Sequence, residues 1–145
     1  MKALIQRVLS AKVEVDSKCI GEIQYGLLVY ICFESHDTFE ILETMAMKIS
    51  KLRIFEDDQN KMNKNVSEVS GSILSVSQFT LSWDGKKGHR PSFEKSMTPN
   101  EAKVFYKKFN DRLQEFQIPI AKGSFGANMK VTSINDGPVT FFLEF

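Results

Sequence analysis

The chain has 145 residues and a net charge of +1, from 19 basic and 18 acidic side chains. This balance excludes broad electrostatic attraction to nucleic acid, so any contact with a polyanion must be local. The 42% of hydrophobic residues predict one globular domain over residues 1–145. No apolar run approaches the roughly 20 residues that cross a bilayer, so we expect no membrane association.

Cysteine and histidine are too few and too scattered for a metal site. The four residues are Cys19, Cys32, His36 and His89, and none stands at metal-ligand spacing from another. We therefore expect no metal and no other cofactor. Isolated cysteines without a partner motif favour a reduced, cytoplasmic protein.

The first half of the chain predicts strands followed by a helix. The strand patterns lie at 2–9, 12–16, 19–23 and 26–33. The last of these is a continuous apolar run, which is typical of a strand buried on both faces. From 35 to 52 the apolar spacing changes to three and four, which predicts a helix capped by Ser35 or Asp37.

The second half predicts further strands around one more helix. The strand patterns are 53–63, which leads into a polar turn, and 72–81, 128–135 and 139–145. Thr98, Pro99 and Glu101 form a capping box with proline at the first helical position, so a helix begins there. Its predicted buried face is Ala102, Phe105, Tyr106, Phe109, Leu113 and Phe116. Together these elements predict an α/β fold with a mixed or largely antiparallel sheet and two main helices.

The peptide SQFTL (77–81) ends the predicted strand 72–81 and has two interpretations. It is either a strand with exposed polar residues or a strand end that brings hydroxyl, amide and unpaired N–H groups to one point. Such groups are the parts of an oxyanion site. No catalytic base lies nearby in the sequence, so the peptide alone leaves both interpretations open.

Two other segments are equally ambiguous. Gly137 and Pro138 lie between two apolar runs. They form either a tight turn between strands or part of a binding site. The loop 84–93 is either solvated or in contact with phosphates. Its basic residues are Lys86, Lys87, His89 and Arg90.

SQFTL (77–81) and NDGPVT (135–140) together resemble the two signature motifs of the D-aminoacyl-tRNA deacylase family. The similarity runs the full chain, through ALIQRV, RIF, RPSF and F.A.M. The resemblance implies hydrolysis of the ester that joins a D-amino acid to the terminal adenosine of tRNA, with L esters rejected. Glycyl-tRNA is a predicted second substrate, because glycine has no side chain to exclude.

The resemblance also implies a compact, barrel-like homodimer. In it a cis Gly137–Pro138 corner crosses into the active site of the partner subunit. The carbonyls of both residues meet the amino end of the substrate and leave no room for an L side chain. Arg7 is expected to steady this corner, although a charge on the surface of a strand is the alternative.

The implied catalytic residues are Ser77, Gln78, Phe79 and Thr80. Ser77 and Gln78 are expected to orient the ester and its ribose. Thr80 is either a nucleophile or, as we favour, a contributor of its backbone N–H together with Phe79 to an oxyanion site. In the second version the 2′-hydroxyl of the tRNA positions or activates water.

The implied pocket for the terminal adenine contains Phe125 and Met129, with Ala102 leaving room for the base. Core packing is the alternative for these side chains. The aminoacyl-tRNA acceptor end is single-stranded, so an aromatic surface suits it. The basic loop is a weaker candidate for phosphate contacts.

Two functions of other classes remain open from the sequence. A non-catalytic RNA-binding module would bind tRNA whatever amino acid it carries. A general esterase that uses Thr80 would cleave activated esters without any tRNA.

Overall fold

One long amino-terminal strand organises the sheet by pairing along both of its edges. In this computed structural model, which describes residues 1–86 and 88–145, β1 spans Lys2–Val15. On one edge its first half pairs with β3 (Gly26–Cys32) and its second half with β2 (Lys18–Ile23). The prediction of two strands at 2–9 and 12–16 is wrong. The interruption at Ser10 is a shift in the pairing of one continuous strand.

Parallel pairing extends the sheet beyond β3. A short two-stranded sheet of β4 (Phe55–Glu56) and β5 (Met62–Lys64) replaces the strand predicted at 53–63. Next, β6 (Ser72–Ser77) runs parallel to β3, and β7 (Ile120–Lys122) runs parallel to β6.

The end strands of the main sheet approach each other. A side chain on Gly21 of β2 would lie 2.9 Å from the carbonyl oxygen of Lys122 in β7. The predicted mixed, barrel-like sheet is therefore confirmed, as a nearly closed one. The three-residue strand β7 was missed, because so short a segment has no detectable period.

The last strand, β8, spans Lys130–Glu144 and pairs antiparallel with the other edge of β1. The Gly137–Pro138 peptide lies inside this strand and is cis. Gln6 pairs with Thr140 and Val8 pairs with Asn135, so residues 136–139 bulge out of the ladder. The prediction of two strands around a turn is therefore wrong, because the chain keeps its direction through the bulge.

The two helices confirm the predicted positions but not the predicted caps. Helix α1 spans Phe39–Ser50 and is capped by Thr38, whose Oγ1 accepts a hydrogen bond from the Ile41 N–H. Neither Ser35 nor Asp37 caps it; Asp37 instead accepts a hydrogen bond of 2.6 Å from the amino group of Met1. A local sequence pattern cannot show this contact, because Met1 lies 36 residues before Asp37 in the chain.

Helix α2 spans Pro99–Glu115 and begins where proline and its neighbours predict. Its cap differs from the prediction, because the Thr98 hydroxyl hydrogen-bonds to the Glu101 carboxylate and makes no hydrogen bond to a backbone N–H. Four of the six predicted face residues are buried: Ala102, Tyr106, Phe109 and Leu113. Phe105 and Phe116 are partly buried against the same core.

The apolar side chains form two cores on opposite faces of the sheet. Leu27, Val29 and Ile31 of β3 pack toward the helices, whereas Leu28 joins the interior of the barrel with Leu74. The prediction that β3 is buried on both faces is confirmed. None of the described helices combines the length and apolarity that crossing a membrane requires.

Candidate active site

A cavity of about 430 Å³ opens where the carboxyl ends of β3 and β6 meet the start of α2. It brings together five of the residues singled out from the sequence: Ser77, Gln78, Phe79, Ala102 and Phe125. Phe93 and Ser96, which were not singled out, line it as well. Its size and mainly apolar lining suit a small organic ligand rather than a hydrated ion.

Met129 lies in a neighbouring cavity of about 240 Å³. Ser77, Gln78 and Phe79 line both cavities, so the end of β6 separates them. Met129 also packs against the core inside the barrel. The structure thus places it beside the main cavity rather than in its lining.

SQFTL is not a strand beyond its first residue. β6 ends at Ser77, and Phe79–Ser82 forms a short 3-10 helix. Gln78 marks the change, because its N–H donates to the Ile31 carbonyl at 2.8 Å while its own carbonyl accepts from Leu81 at 3.3 Å. The prediction of a strand over 72–81 is therefore wrong in its last four residues, since one helical turn is too short to show a helical period.

The short helix leaves main-chain donors beside the main cavity, which Phe79 lines and Thr80 does not. The N–H groups of Phe79 and Thr80 come first in the helix, so they have no acceptor within it. The carbonyl of Phe79 accepts hydrogen bonds from the Ser96 hydroxyl at 3.3 Å and the Cys32 thiol at 3.5 Å. The geometry therefore offers hydrogen-bond donors on a supported turn.

The hydroxyl of Thr80 contacts an amide, not a base. Gln78 Nε2 donates to Thr80 Oγ1 at 2.6 Å. A carboxamide cannot accept the proton that a nucleophilic hydroxyl must lose. This contact orients the hydroxyl and does not activate it.

Tyr106 supports the part of the cavity that Phe125 forms, and the sequence predicted only a core position for it. Its buried hydroxyl donates to the Ser75 carbonyl at 2.7 Å, and its ring lies 5.8 Å from the Phe125 ring. Burial raises the pKa of Tyr106, so the hydroxyl stays neutral and donates. Gly123 N also donates to the Ser75 carbonyl, at 2.8 Å, which fixes the loop before Phe125.

Cys32 lines the cavity but is chemically inert. Burial raises the pKa of its thiol to about 12, so only about one thiol in ten thousand is ionised at pH 8. Iodoacetamide at pH 8 is therefore expected to label the exposed Cys19 and spare Cys32 in the folded protein. Peptide mass spectrometry measures this, with protein unfolded in guanidinium as the control in which both react. Equal labelling of the two in the folded protein would contradict the prediction.

A buried arginine lies beside the Gly137–Pro138 corner. Arg7 is 4% exposed, and its Nη1 donates to the Ile54 carbonyl at 2.8 Å. Its Nε lies 2.9 Å from Asp136 Oδ2, an ion pair whose alignment is poor for a hydrogen bond. The alternative of a surface charge is therefore excluded for Arg7.

Asn135 closes the bulge from inside the chain. Its Oδ1 accepts from the Val139 N–H at 3.0 Å, and its Nδ2 donates to Thr140 Oγ1 at 2.9 Å. Gly137 adopts a φ of +124°, which side chains disfavour. The corner is thus a fixed, exposed feature.

Within one chain the corner and the cavity are far apart. The corner lies opposite Arg7, which pairs with Leu27 of β3, four residues before the Ile31 that pairs with Ser77. With about 3.3 Å per residue and about 4.8 Å per strand, the corner lies on the order of 20 Å from Ser77. One chain therefore does not bring Gly137 and Pro138 into its own cavity.

The described basic side chains of the loop 84–93 do not line the main cavity either, although Phe93 of the same loop does. Lys86, His89 and Arg90 are exposed, and none of the three lines the main cavity. The prediction for Lys87 lies outside the described residues.

The fold and site together define a barrel-like α/β domain with an open, mainly apolar cavity at the carboxyl ends of β3 and β6. The chain belongs to the D-aminoacyl-tRNA deacylase family: the family model described as D-Tyr-tRNA(Tyr) deacylase matches residues 4–144. Proteins named D-aminoacyl-tRNA deacylase from Saccharophagus degradans and Geobacter sulfurreducens are 50% and 52% identical to it. Each covers 99% of this chain, and the chain covers 99% and 95% of their respective lengths.

Solved structures share the whole architecture. One titled "c-Myc DNA Unwinding Element Binding Protein" is 41% identical, with a TM-score of 0.95 over 100% of this chain and 99% of that one. Another, titled as a probable eukaryotic D-amino acid tRNA deacylase, has a TM-score of 0.86 at 18% identity. It covers 98% of this chain and 97% of its own, and at that identity it shows the fold alone.

Proposed function

We propose that the protein hydrolyses the ester of D-aminoacyl-tRNA, releases the D-amino acid and tRNA, and spares L esters. The observation that carries the proposal is the cavity at the end of β6. It gathers Ser77, Gln78 and Phe79 of one family motif around about 430 Å³. The family match over 4–144 and the names of the relatives support the same reaction.

The terminal adenosine fits the main cavity chemically. Phe125 and Phe79 offer aromatic surface, and the single-stranded end of tRNA presents its last base free to stack. Ala102 limits the start of α2 to a methyl group, which leaves space for a purine. In this pose the ester lies toward Ser77 and the short helix.

The hydrolytic step needs no side-chain nucleophile in this proposal. A water oxygen attacks the ester carbonyl carbon, and the N–H groups of Phe79 and Thr80 stabilise the resulting oxyanion. The carbon–oxygen bond to the ribose then breaks, and the ribose oxygen takes the proton that the attacking water gives up. The neighbouring ribose hydroxyl of the substrate positions the water. The Thr80 hydroxyl is not assigned this role, because it accepts a hydrogen bond from the Gln78 amide and has no base beside it among the described residues.

Two substitutions at Thr80 separate its hydroxyl from its backbone N–H. Thr80→Ala removes the hydroxyl and is expected to keep kcat within several-fold of wild type. Thr80→Pro removes the N–H and is expected to lower kcat about 100- to 1,000-fold, the usual effect of losing one oxyanion donor. Thr80 is the second residue of the short helix, where a proline also restricts the backbone of Phe79, so a thermal melt checks that the variant folds. Complete loss of activity in folded Thr80→Ala would contradict the backbone mechanism.

The corner is proposed to complete the cavity of a second copy of the chain. Two observations support this: the separation on the order of 20 Å within one chain, and the exposed apolar side chains of β8. Ile134 is 56% exposed and Phe142 is 51% exposed. Among the described residues β8 pairs only with β1, so its other edge and these exposed side chains are available to a symmetric partner.

Mixed dimers test this shared site. Gly137→Ala and Thr80→Pro are each expected to be inactive alone, since one damages the corner and the other the oxyanion donors. After refolding together, they should recover about a quarter of the wild-type rate, because half of the dimers are mixed and one site in each is intact. Recovery of no activity, with mixed dimers shown by mass spectrometry, would contradict a shared site.

The reaction itself is tested by charging one tRNA with D-tyrosine, L-tyrosine or glycine and following the loss of each ester. Rapid loss of the D and glycyl esters with the L ester spared is the expected result. Binding of all three without hydrolysis would favour a non-catalytic RNA-binding module. Equal hydrolysis of both enantiomers would overturn the proposed role of Gly137 and Pro138.

A further inference from the structure

A second cavity, of about 190 Å³, lies beside the main one and has no part in the function described so far. Trp83, Asp84, Glu94 and Lys95 line it, and it follows directly after the short helix. Trp83 is the only tryptophan of the chain, and it is 37% exposed. A partly exposed tryptophan between charged side chains is an unusual surface that suits a ligand with a flat face and polar edges.

A partition one chain thick separates this Trp83 cavity from the main cavity. In the segment 92–97, Phe93 and Ser96 face the main cavity, whereas Glu94 and Lys95 face the Trp83 cavity. The Ser96 hydroxyl also hydrogen-bonds to Ser82 at 2.9 Å, which ties the segment to the end of the short helix. Two groups that are joined by a short linker can therefore occupy the two cavities together.

We propose that the Trp83 cavity binds the penultimate nucleotide of the acceptor end, the cytidine that precedes the terminal adenosine in every tRNA. The inference rests on the proposed function, because it takes the main cavity as the adenosine site. Single-stranded bases bound by proteins are commonly splayed apart onto separate aromatic surfaces. The partition between Phe93 and Trp83 requires such a separation of the last two bases.

The side chains match the chemistry of cytosine. The indole of Trp83 provides a surface for base stacking, which tolerates any base. The carboxylates of Asp84 and Glu94 are acceptors, and cytosine carries an exocyclic amine that donates, whereas uracil presents a carbonyl there. Lys95 Nζ lies 3.0 Å from Asp84 Oδ2 and keeps a cation beside the position of the linking phosphate.

The Asp84 carboxylate is oriented to accept a hydrogen bond from the cytosine amine. The hydrogen bond from Lys95 and the N–H of Lys86 lower the pKa of Asp84, so it stays ionised at neutral pH. Its Oδ1 is held by that N–H at 3.1 Å, which fixes the direction of the carboxylate.

Minimal substrates isolate the contribution of the second base. Wild-type protein is given the D-tyrosyl esters of adenosine, of adenosine 5′-phosphate, of CpA and of UpA, and kcat/KM is measured for each. CpA is expected to exceed adenosine 5′-phosphate by about 5- to 150-fold, the range that stacking one base provides. UpA is expected to fall between them.

Variants of Trp83 assign the effect to this cavity. Trp83→Ala should remove the advantage of CpA over adenosine 5′-phosphate while leaving kcat/KM for the adenosine ester unchanged. Trp83→Phe is the matched control, because it keeps a stacking surface and should keep most of the advantage. Asp84→Asn should reduce the preference for CpA over UpA without affecting the adenosine ester.

The outcomes separate the inference from the function on which it rests. If no D ester is hydrolysed, the proposed function fails and the inference fails with it. If the adenosine ester is hydrolysed and CpA is no better than adenosine 5′-phosphate, the function stands and the inference is overturned. An advantage of CpA that Trp83→Ala leaves intact would overturn it as well, since the base would then bind elsewhere.

Discussion

Gly137→Ala is expected to lower kcat/KM for a D-aminoacyl-tRNA by about 100-fold or more, the usual result of displacing a positioning group by about 1 Å. A β-carbon on this residue would lie 2.6 Å from Val139 Cγ2 and 3.3 Å from Arg7 Nη2. Val139 is buried, so the corner rather than its surroundings must move. The φ of +124° adds backbone strain, which we expect to lower the free energy of unfolding by about 1–3 kcal/mol. Hydrolysis of D- and L-tyrosyl-tRNA, with a denaturant melt, measures both effects.

Gly88→Ala is the matched control for this prediction. Gly88 also has a positive φ, +60°, but no atom of the described residues beyond its chain neighbours lies within 4 Å of the added β-carbon. It should lose about 1 kcal/mol of stability and keep full activity on the D-tyrosyl ester of adenosine, on which Gly137→Ala is measured as well. If Gly137→Ala behaved like this control, the corner would not be part of the catalytic unit.

Arg7→Met is expected to lower the free energy of unfolding by about 2–4 kcal/mol and to impair hydrolysis. The substitution keeps much of the volume but leaves the Ile54 carbonyl without its donor and Asp136 without its cation. A buried group that loses its partner costs about 1–3 kcal/mol, and more when the group is charged. Asp136 is partly solvated, which holds the expected effect below that of a fully buried pair. Urea unfolding followed by circular dichroism measures the change.

Lys12→Met on the same strand provides the comparison. The Lys12 side chain is 41% exposed and pairs with Glu14 at 3.2 Å, so its loss should change stability by less than about 1 kcal/mol. A result for Arg7→Met no larger than that for Lys12→Met would show that the arginine does not hold the corner.

Elements with strong local patterns could be predicted from the sequence. The apolar run of β3 and the apolar face of α2 record burial directly, and proline at 99 marks a helix start by its missing N–H. Predictions failed where a distant partner decides the structure. β1 continues through Ser10, where only its pairing with β8 shifts, and Asp37 contacts the amino group of Met1 instead of capping α1.

The sequence predicted which residues surround the candidate site better than it predicted their arrangement. The two family motifs identified Ser77, Gln78 and Phe79, and the structure places them around one cavity with Ala102 and Phe125. The motifs could not reveal that the second half of SQFTL turns into a helix. Nor could they predict the hydrogen bond from Tyr106 to the Ser75 carbonyl. The apolar pattern of a helix shows that a tyrosine is buried but not which acceptor its hydroxyl meets.

The main-chain donors at the start of the short helix have a consequence for inhibition. An inhibitor that accepted hydrogen bonds from the N–H groups of Phe79 and Thr80 would bind atoms that every residue except proline carries. Side-chain substitutions at these positions would leave those contacts in place. Resistance would then have to arise by reshaping the backbone, at the expense of the same contacts that we assign to the substrate. Compounds built on these donors should therefore select resistant variants rarely.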